Sequence, residues 1–114
     1  MVQHHPGLLD ASFAALGDIT RRGVLEALGQ GDASITDLAR RFQMTLTGIR
    51  KHVDVLERAG LVSTRKRGRV RTCTLGARPL EAEAAWIEHY RQRWAARFEA
   101  LDTLVERLEQ EGEG

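Results

Sequence analysis

Apolar residues in the first third of the chain recur every three or four positions, which is the spacing of the buried face of an amphipathic helix. Two helices are predicted here, one on each side of Gly17. Asp18 directly follows that glycine and is suited to cap the second helix by accepting a backbone N–H bond. The glycine-containing break at residues 29–32 is predicted to end this helix. The apolar faces of the two helices contain Leu9, Phe13, Leu16, Ile19, Leu25 and Leu28.

A shorter and a longer helix are predicted next, joined by a connection at Gln43 and Met44. Thr36 and Thr45 are the candidate N-caps, since a threonine hydroxyl can accept a bond from the free N–H groups of a first turn. Gly60 is predicted to end the longer helix. The apolar residues assigned to this pair are Leu38, Ala39, Phe42, Leu46, Ile49, Val53 and Leu56. Two helices joined by a short turn, the second with a basic outer side, form the unit that DNA-binding proteins insert into a groove.

The helical pattern gives way to alternating β-branched residues after residue 60. These residues flank a basic tip and predict a β-hairpin with Gly68 in its turn. They are Val62, Thr64, Val70, Thr72 and Thr74. A hairpin directly after two helices joined by a turn is the arrangement of a winged helix. The predicted fold is therefore mainly α with a small β-hairpin wing, a winged helix-turn-helix of about five helices.

The last predicted helix runs from Pro79 to about Leu108 without an internal glycine or proline. Its length would be about 45 Å, more than the core of so small a protein can cover. Apolar residues follow a heptad pattern along it, interrupted at Arg91, so a partner helix is expected, most simply from a second copy of the chain. With the first helix included, the residues predicted at this dimer interface are Leu9, Phe13, Trp86, Ile87, Tyr90, Trp94, Phe98, Leu101 and Val105.

The length of 114 residues and the 42% hydrophobic content indicate one domain with a modest core. We expect this domain at residues 8–108, with a flexible tail at residues 1–7 and a flexible acidic tail at residues 109–114. No stretch is apolar enough to predict a membrane span, and the N-terminus does not resemble a signal peptide. The single cysteine, Cys73, cannot form an internal disulfide, which fits a reducing compartment, so the expected location is the cytoplasm.

The net charge of +1 conceals a segregation of sign along the chain. Residues 40–71 contain ten Arg or Lys against two acids, Asp54 and Glu57, whereas residues 81–114 contain nine acids against four Arg. A basic middle segment is expected to face a polyanion such as double-stranded DNA. The candidate DNA contacts on the fourth helix and the wing are Thr45, Thr47, Arg50, Lys51, His52, Arg65, Lys66, Arg67, Arg69 and Arg71. Among these, Arg50 is long enough to reach a guanine edge, and the wing residues are expected to contact phosphates or the minor groove.

Four short motifs stand out: LGDITRR at residues 16–22, ITDLA at 35–39, KHVDVL at 51–56 and AGLV at 59–62. Together they resemble the ArsR/SmtB family of bacterial winged-helix repressors, and the resemblance extends from about Leu9 to Leu108. The last helix, with WIEHY at residues 86–90 and Trp94, resembles a branch of that family without metal-binding cysteines. The resemblance implies a homodimer that blocks transcription by occupying a palindromic operator, often its own. It also implies a bacterial cytoplasmic location, in contact with the nucleoid when DNA is bound.

A metal-responsive repressor of the same family is the first alternative. Thiolate sensors carry paired cysteines in the third helix, but residues 36–42 contain none. In the last helix Glu88 and His89 are adjacent and therefore point to different faces. His4 and His5 lie in the predicted tail. We therefore predict no dedicated metal site and no cofactor.

Three further alternatives are redox sensing by the cysteine, an effector pocket on the last helix, and a protein-binding function in place of DNA binding. Cys73 is interpreted as a strand residue, with redox sensing as the alternative. The aromatic stripe of the last helix is interpreted as packing surface, with a pocket for an apolar effector as the alternative. A winged-helix module that binds proteins would need an exposed apolar patch in place of a basic wing. No Ser/His/Asp, Cys/His or phosphate-loop arrangement can be assembled, so an enzyme is not expected.

Overall fold

The computed structural model describes residues 6–113, which form two compact units, the first ending at Pro79 and the second beginning at Leu80. The second unit is a single helix, α5 (Glu81–Glu113). The predicted winged helix-turn-helix fold is confirmed. The elements of the first unit are α1 (Pro6–Leu16), α2 (Ile19–Gln30), β1 (Ala33–Ser34), α3 (Ile35–Arg41), α4 (Leu46–Arg58), β2 (Val62–Arg67) and β3 (Val70–Leu75).

Side-chain caps begin three of these helices. Asp18 accepts a bond from the backbone N–H of Arg21 and Thr45 accepts one from Gly48, as predicted. The prediction of Thr36 as the cap of α3 is wrong. Ser34 has this role, accepting from Asp37 N at 3.0 Å. The helix begins immediately after β1, so that Ile35 is already helical and buried in the core.

The wing belongs to a three-stranded antiparallel sheet in the order β1-β3-β2. The predicted hairpin is present, with Gly68 at φ +59° in the turn between β2 and β3. Strand β1 was not predicted, because two residues are too few to display an alternating pattern. It pairs Ala33 with Cys73 and Ser34 with Thr72, so the base of the wing is joined to the segment that precedes α3.

The core of the first unit lies between the helices and the inner face of this sheet. As predicted, α4 buries Ile49, Val53 and Leu56. Leu46, which was predicted on the same face, is instead 44% exposed, because it is the first residue of the helix. The other buried apolar residues of this unit include Ala15, Val24, Leu28, Ile35, Leu38, Leu61, Val62 and Cys73.

The turn between α3 and α4 has an unusual backbone. Gln43 has φ +54°, a left-handed conformation that few residues other than glycine adopt. The preceding Phe42 packs closely on Gly23 of α2. A Cβ added to this glycine would lie 2.7 Å from the Cε1 atom of Phe42. The absence of a side chain at Gly23 thus lets the ring of Phe42, at the end of α3, pack against α2.

The ends of the terminal helices differ from the prediction. The last helix begins at Glu81 and not at Pro79, because Leu80 adopts φ +60° and interrupts the helical backbone. It continues past Leu108 to Glu113, through the segment predicted as a flexible tail. At the other end Pro6 and Gly7 belong to α1, and the remainder of the predicted N-terminal tail lies outside the described residues.

A stripe of apolar side chains runs along α5. Trp86 stacks on Tyr90 with ring centroids 5.9 Å apart, and Trp94 packs on Phe98 at 4.1 Å. At about 100° per residue the stripe covers about a third of the helix circumference. All of its members are roughly half exposed, namely Trp86, Ile87, Tyr90, Trp94, Phe98, Leu101, Leu104, Val105 and Leu108. Although α5 is long, no helix in the described part of the chain has an apolar stretch that could cross a membrane.

Candidate nucleic-acid interface

Helix α4 has one buried face and one polar face. The buried residues recur at intervals of four and three, so the residues between them are directed outward. Thr45, Thr47, Arg50 and Lys51 are all exposed on or next to the first half of the helix. Thr45 also serves as the N-cap, and a Cβ added to Gly48 would press on its Oγ1 at 3.1 Å. The outward face therefore offers two hydroxyls and two cationic side chains.

His52 is partly buried on the side of α4 that faces α2, where a side chain of α2 holds it. Its Nδ1 is 3.2 Å from Nη1 of Arg21 and 3.6 Å from Oδ2 of Asp18. Because a guanidinium has no acceptor, Nη1 of Arg21 is the donor in this contact and Nδ1 of His52 is the acceptor. Arg21 also donates to the carbonyl oxygens of Ala14 and Ala15 at the end of α1. The guanidinium of Arg21 therefore joins α1, α2 and α4, and His52 is part of this junction.

Asp18 combines its role as a cap with this junction. The backbone N–H of Arg21 lowers the pKa of the Asp18 carboxyl, and the charge of the nearby Arg21 guanidinium acts in the same direction. The carboxylate therefore stays charged at neutral pH and caps the start of α2.

The tip of the wing carries four exposed basic residues, Arg65, Lys66, Arg67 and Arg69. Side chains alternate between the two faces of a strand, so Arg65 and Arg67 share one face and Lys66 lies on the other. Together with Asp32 and two threonines of β3, Thr72 and Thr74, the two arginines line a depression of about 350 Å³. Guanidinium and hydroxyl groups in this arrangement are suited to bind phosphate oxygens.

Arg71 differs from the other basic residues of the wing. Its Nη2 lies 2.9 Å from Oε1 of Glu57 and 3.3 Å from Oδ1 of Asp54, and both carboxylates belong to α4. Oε2 of Glu57 accepts a further bond, at 2.8 Å, from the hydroxyl of Thr64 on β2. The side chain of Arg71 is 28% exposed. The structure thus engages Arg71 within the protein and leaves the cations of the wing tip exposed.

Comparison with known proteins agrees with this geometry. Residues 16–65 match the family model described as a helix-turn-helix domain. The HTH-type transcriptional regulator YuzN of Bacillus subtilis is 37% identical over 90 residues, which cover 72% of this chain and 98% of YuzN. A crystal structure of an ArsR family transcriptional regulator is 41% identical with a TM-score of 0.74, over 83% of this chain and 97% of that one.

The chain belongs to the ArsR family of transcriptional regulators. It is also 28% identical, over 78 residues, to the transcriptional repressor SdpR of Bacillus subtilis, across 68% of this chain and 87% of SdpR. The predicted family resemblance is therefore confirmed, with its helix-turn-helix in the matched segment.

The structure of this ArsR-family regulator divides the predicted DNA contacts into two groups. Eight side chains are exposed, whereas His52 and Arg71 are partly buried and bonded to neighbouring elements. The exposed group consists of Thr45, Thr47, Arg50, Lys51, Arg65, Lys66, Arg67 and Arg69.

Sequence reasoning missed the residues that hold His52 and Arg71, namely Arg21, Asp54 and Glu57, and it missed Thr64, which donates to Glu57. Asp54 and Glu57 carried a signal, since they are the two acids in the basic segment and their spacing of three places them on one side of α4.

In the part of this ArsR-family regulator that the structure describes, the candidate metal ligands do not converge. Within residues 6–113 no three His, Cys, Asp or Glu side chains form a group that could hold a metal ion. Glu88 and His89 are both exposed on α5. His4 and His5 lie outside the described residues.

We expect Cys73 to react slowly with thiol reagents, because it is fully buried on β3 and burial raises the pKa of its thiol to about 11. At pH 8 the thiolate fraction is then about a hundredfold or more below that of a free cysteine. Absorbance during reaction with an aromatic disulfide reagent measures the rate, and the urea-unfolded chain serves as the control. A native rate within tenfold of the unfolded rate would show the thiol to be accessible and restore redox sensing as an alternative.

Proposed function

We propose that the protein is a homodimeric repressor that binds an inverted-repeat operator in double-stranded DNA, without a dedicated metal site. In this proposal the outward face of α4 enters the major groove, and the tip of the wing contacts the flanking backbone or minor groove. Similarity to the transcriptional repressor SdpR supports repression over activation. A dimer bound across a promoter would repress transcription by excluding polymerase.

The observation that carries the proposal is the placement of exposed cations on two adjacent elements of one unit. Arg50 and Lys51 extend from α4, and Arg65, Lys66, Arg67 and Arg69 extend from the wing. Side chains of this charge release counterions from DNA, which supplies most of the binding that does not depend on sequence. Base recognition is assigned to Arg50, whose guanidinium matches the O6 and N7 acceptors of guanine.

Dimerisation is assigned to α5. Its apolar stripe is exposed in a single chain, and a face of this length and composition is expected to bind a second copy. Two copies related by a twofold axis would present two α4 helices, spaced for half-sites about one helical turn, or 34 Å, apart. The operator is therefore expected to be an inverted repeat.

We expect Arg50→Ala and Arg67→Ala to weaken DNA binding in different ways. Loss of a base contact costs about 1–3 kcal/mol, or about fivefold to 150-fold, on the operator alone. Loss of a phosphate contact weakens binding to every sequence and reduces the slope of log K against log salt by about 0.9. Fluorescence anisotropy on a duplex from upstream of the protein's own gene, and on a shuffled duplex of equal composition, measures both effects.

The titrations are performed in the presence of a metal chelator. Any DNA binding that is then observed does not depend on a metal ion. Binding of the native protein that is independent of salt would overturn the DNA-binding proposal in favour of a protein-interaction module. Equal losses on both duplexes for Arg50→Ala would remove Arg50 from base recognition. Binding that appears only after a divalent metal is restored would favour a metal-responsive repressor.

A further inference from the structure

One carboxylate of α4 holds both strands of the wing. Glu57 accepts from Thr64 on β2 through Oε2, and from Arg71 on β3 through Oε1. Asp54, one turn earlier on α4, accepts from the same Arg71 nitrogen. Thr64 and Arg71 lie on the face of the hairpin turned toward α4, because both reach carboxylates of this helix. These four residues form a polar clamp between α4 and the wing.

The clamp contains the two acids of the basic segment. Asp54 and Glu57 are on the helix proposed to enter the groove, and their side chains are 43% and 37% exposed. Uncompensated carboxylates at this position would repel the phosphates of DNA. The guanidinium of Arg71 lies within 3.3 Å of both and offsets their charge.

We propose that Arg71 is a positioning residue for DNA binding: it fixes the wing to α4 through Glu57 and Asp54 and neutralises both carboxylates, in place of contacting DNA itself. The inference rests on the proposed function, because it assumes that α4 and the wing bind one DNA duplex together. It goes beyond that function by assigning a separate task to one of the five basic residues between Arg65 and Arg71.

A double-mutant cycle with Arg71→Gln and Glu57→Gln tests the proposal. Arg71→Gln is expected to lower operator affinity by about tenfold or more, since it releases the wing and exposes two carboxylates. Glu57→Gln is then expected to raise affinity at least about fivefold more in the Arg71→Gln protein than in the native protein, because the two residues are coupled.

Lys66→Gln is the matched control. Lys66 is the cross-strand partner of Arg71, so the substitution removes the same charge from the opposing position of the wing. Its side chain is exposed. The effect of Glu57→Gln is expected to be the same, within about twofold, in the Lys66→Gln and native proteins, as it is for residues that act independently. If Glu57→Gln changes operator affinity by the same factor in the native, Arg71→Gln and Lys66→Gln proteins, Arg71 is not coupled to Glu57 and the proposal is wrong.

Cys73 provides a readout that needs no DNA. It pairs with Thr64 across the hairpin and is buried, so its labelling rate reports release of the wing from α4. Arg71→Gln is expected to raise this rate about tenfold or more, whereas Lys66→Gln leaves it unchanged. Removal of the Arg71 charge would by itself raise the pKa of Cys73 and slow labelling, so a faster rate can come only from greater exposure.

The two readouts separate failure of this inference from failure of the proposed function. Faster labelling of Arg71→Gln in a protein that does not bind DNA would uphold the clamp and overturn the proposed function. Operator binding by the native protein, with additive effects in the cycle and unchanged labelling, would overturn the clamp alone. Circular dichroism verifies that each variant is folded, and Thr64→Val, which removes only the hydroxyl bond to Glu57, repeats the labelling test with a milder change.

Discussion

Leu101→Glu is expected to dissociate the proposed homodimer into single chains and to lower affinity for the proposed operator by about a hundredfold or more. Leu101 lies in the exposed apolar stripe of α5, where a partner helix would surround it. A carboxylate buried in such an interface without a partner costs several kcal/mol, and each tenfold change in affinity corresponds to about 1.4 kcal/mol. A single chain also loses the effective concentration that joins two half-sites, which contributes about 10²–10⁴ in affinity.

Thr103→Glu is the matched control, because it introduces the same charge two residues away. At about 100° per residue, position 103 lies on the opposite side of α5 from the stripe. Sedimentation velocity gives the mass of each variant, and anisotropy gives its operator affinity. If Leu101→Glu keeps the mass of a dimer, the stripe is not the dimer interface, and if the two variants lose affinity equally, charge alone explains the loss.

Gly76→Ala is expected to cost about 2–3 kcal/mol of stability, as overpacking between rigid backbone segments does. Gly76 directly follows the second strand of the wing, and its N–H donates to the carbonyl oxygen of Leu61 at 2.9 Å. An added Cβ would overlap the carbonyl oxygen of Gly60 and lie 3.0 Å from the carbonyl carbon of Leu61. Neither backbone atom can rotate away, so the two ends of the wing would have to separate.

Gly29→Ala is the control, since nothing lies within 4 Å of a Cβ built at that helical glycine. This substitution is expected to stabilise the protein by up to about 1 kcal/mol through helix propensity. Urea unfolding at one protein concentration compares the midpoints. A Gly76→Ala midpoint equal to that of the native protein would mean that the ends of the wing are not packed as closely as the structure indicates.

Much of the fold was predictable from short-range patterns. The buried face of α4, the caps at Asp18 and Thr45 and the turn at Gly68 each depend on residues within a few positions of one another. Burial with a helical period and a hydroxyl or carboxyl at a helix start are properties that a linear sequence displays directly. The separation of basic and acidic residues along the chain can also be seen directly in the linear sequence.

The errors occur where a contact between distant segments overrides the local pattern. Thr36 is as good a cap as Ser34 in isolation, but pairing of β1 with β3 starts the helix at Ile35. Strand β1 itself exists only because β3 lies beside it. Leu80 takes up a left-handed backbone that no local preference predicts, and α5 therefore begins two residues late.

The features of the candidate site also divide into those that short-range patterns predict and those that depend on contacts between distant segments. By itself the sequence determined which segments are basic, which residues face outward from α4, and that the last helix carries an apolar stripe, because these depend on composition and period. Only the tertiary structure decided that His52 joins Arg21 and that Arg71 joins Glu57, across 31 and 14 positions of the chain. Electrostatic pairing depends on distance in space, and the packing of α4 against α2 and the wing sets that distance.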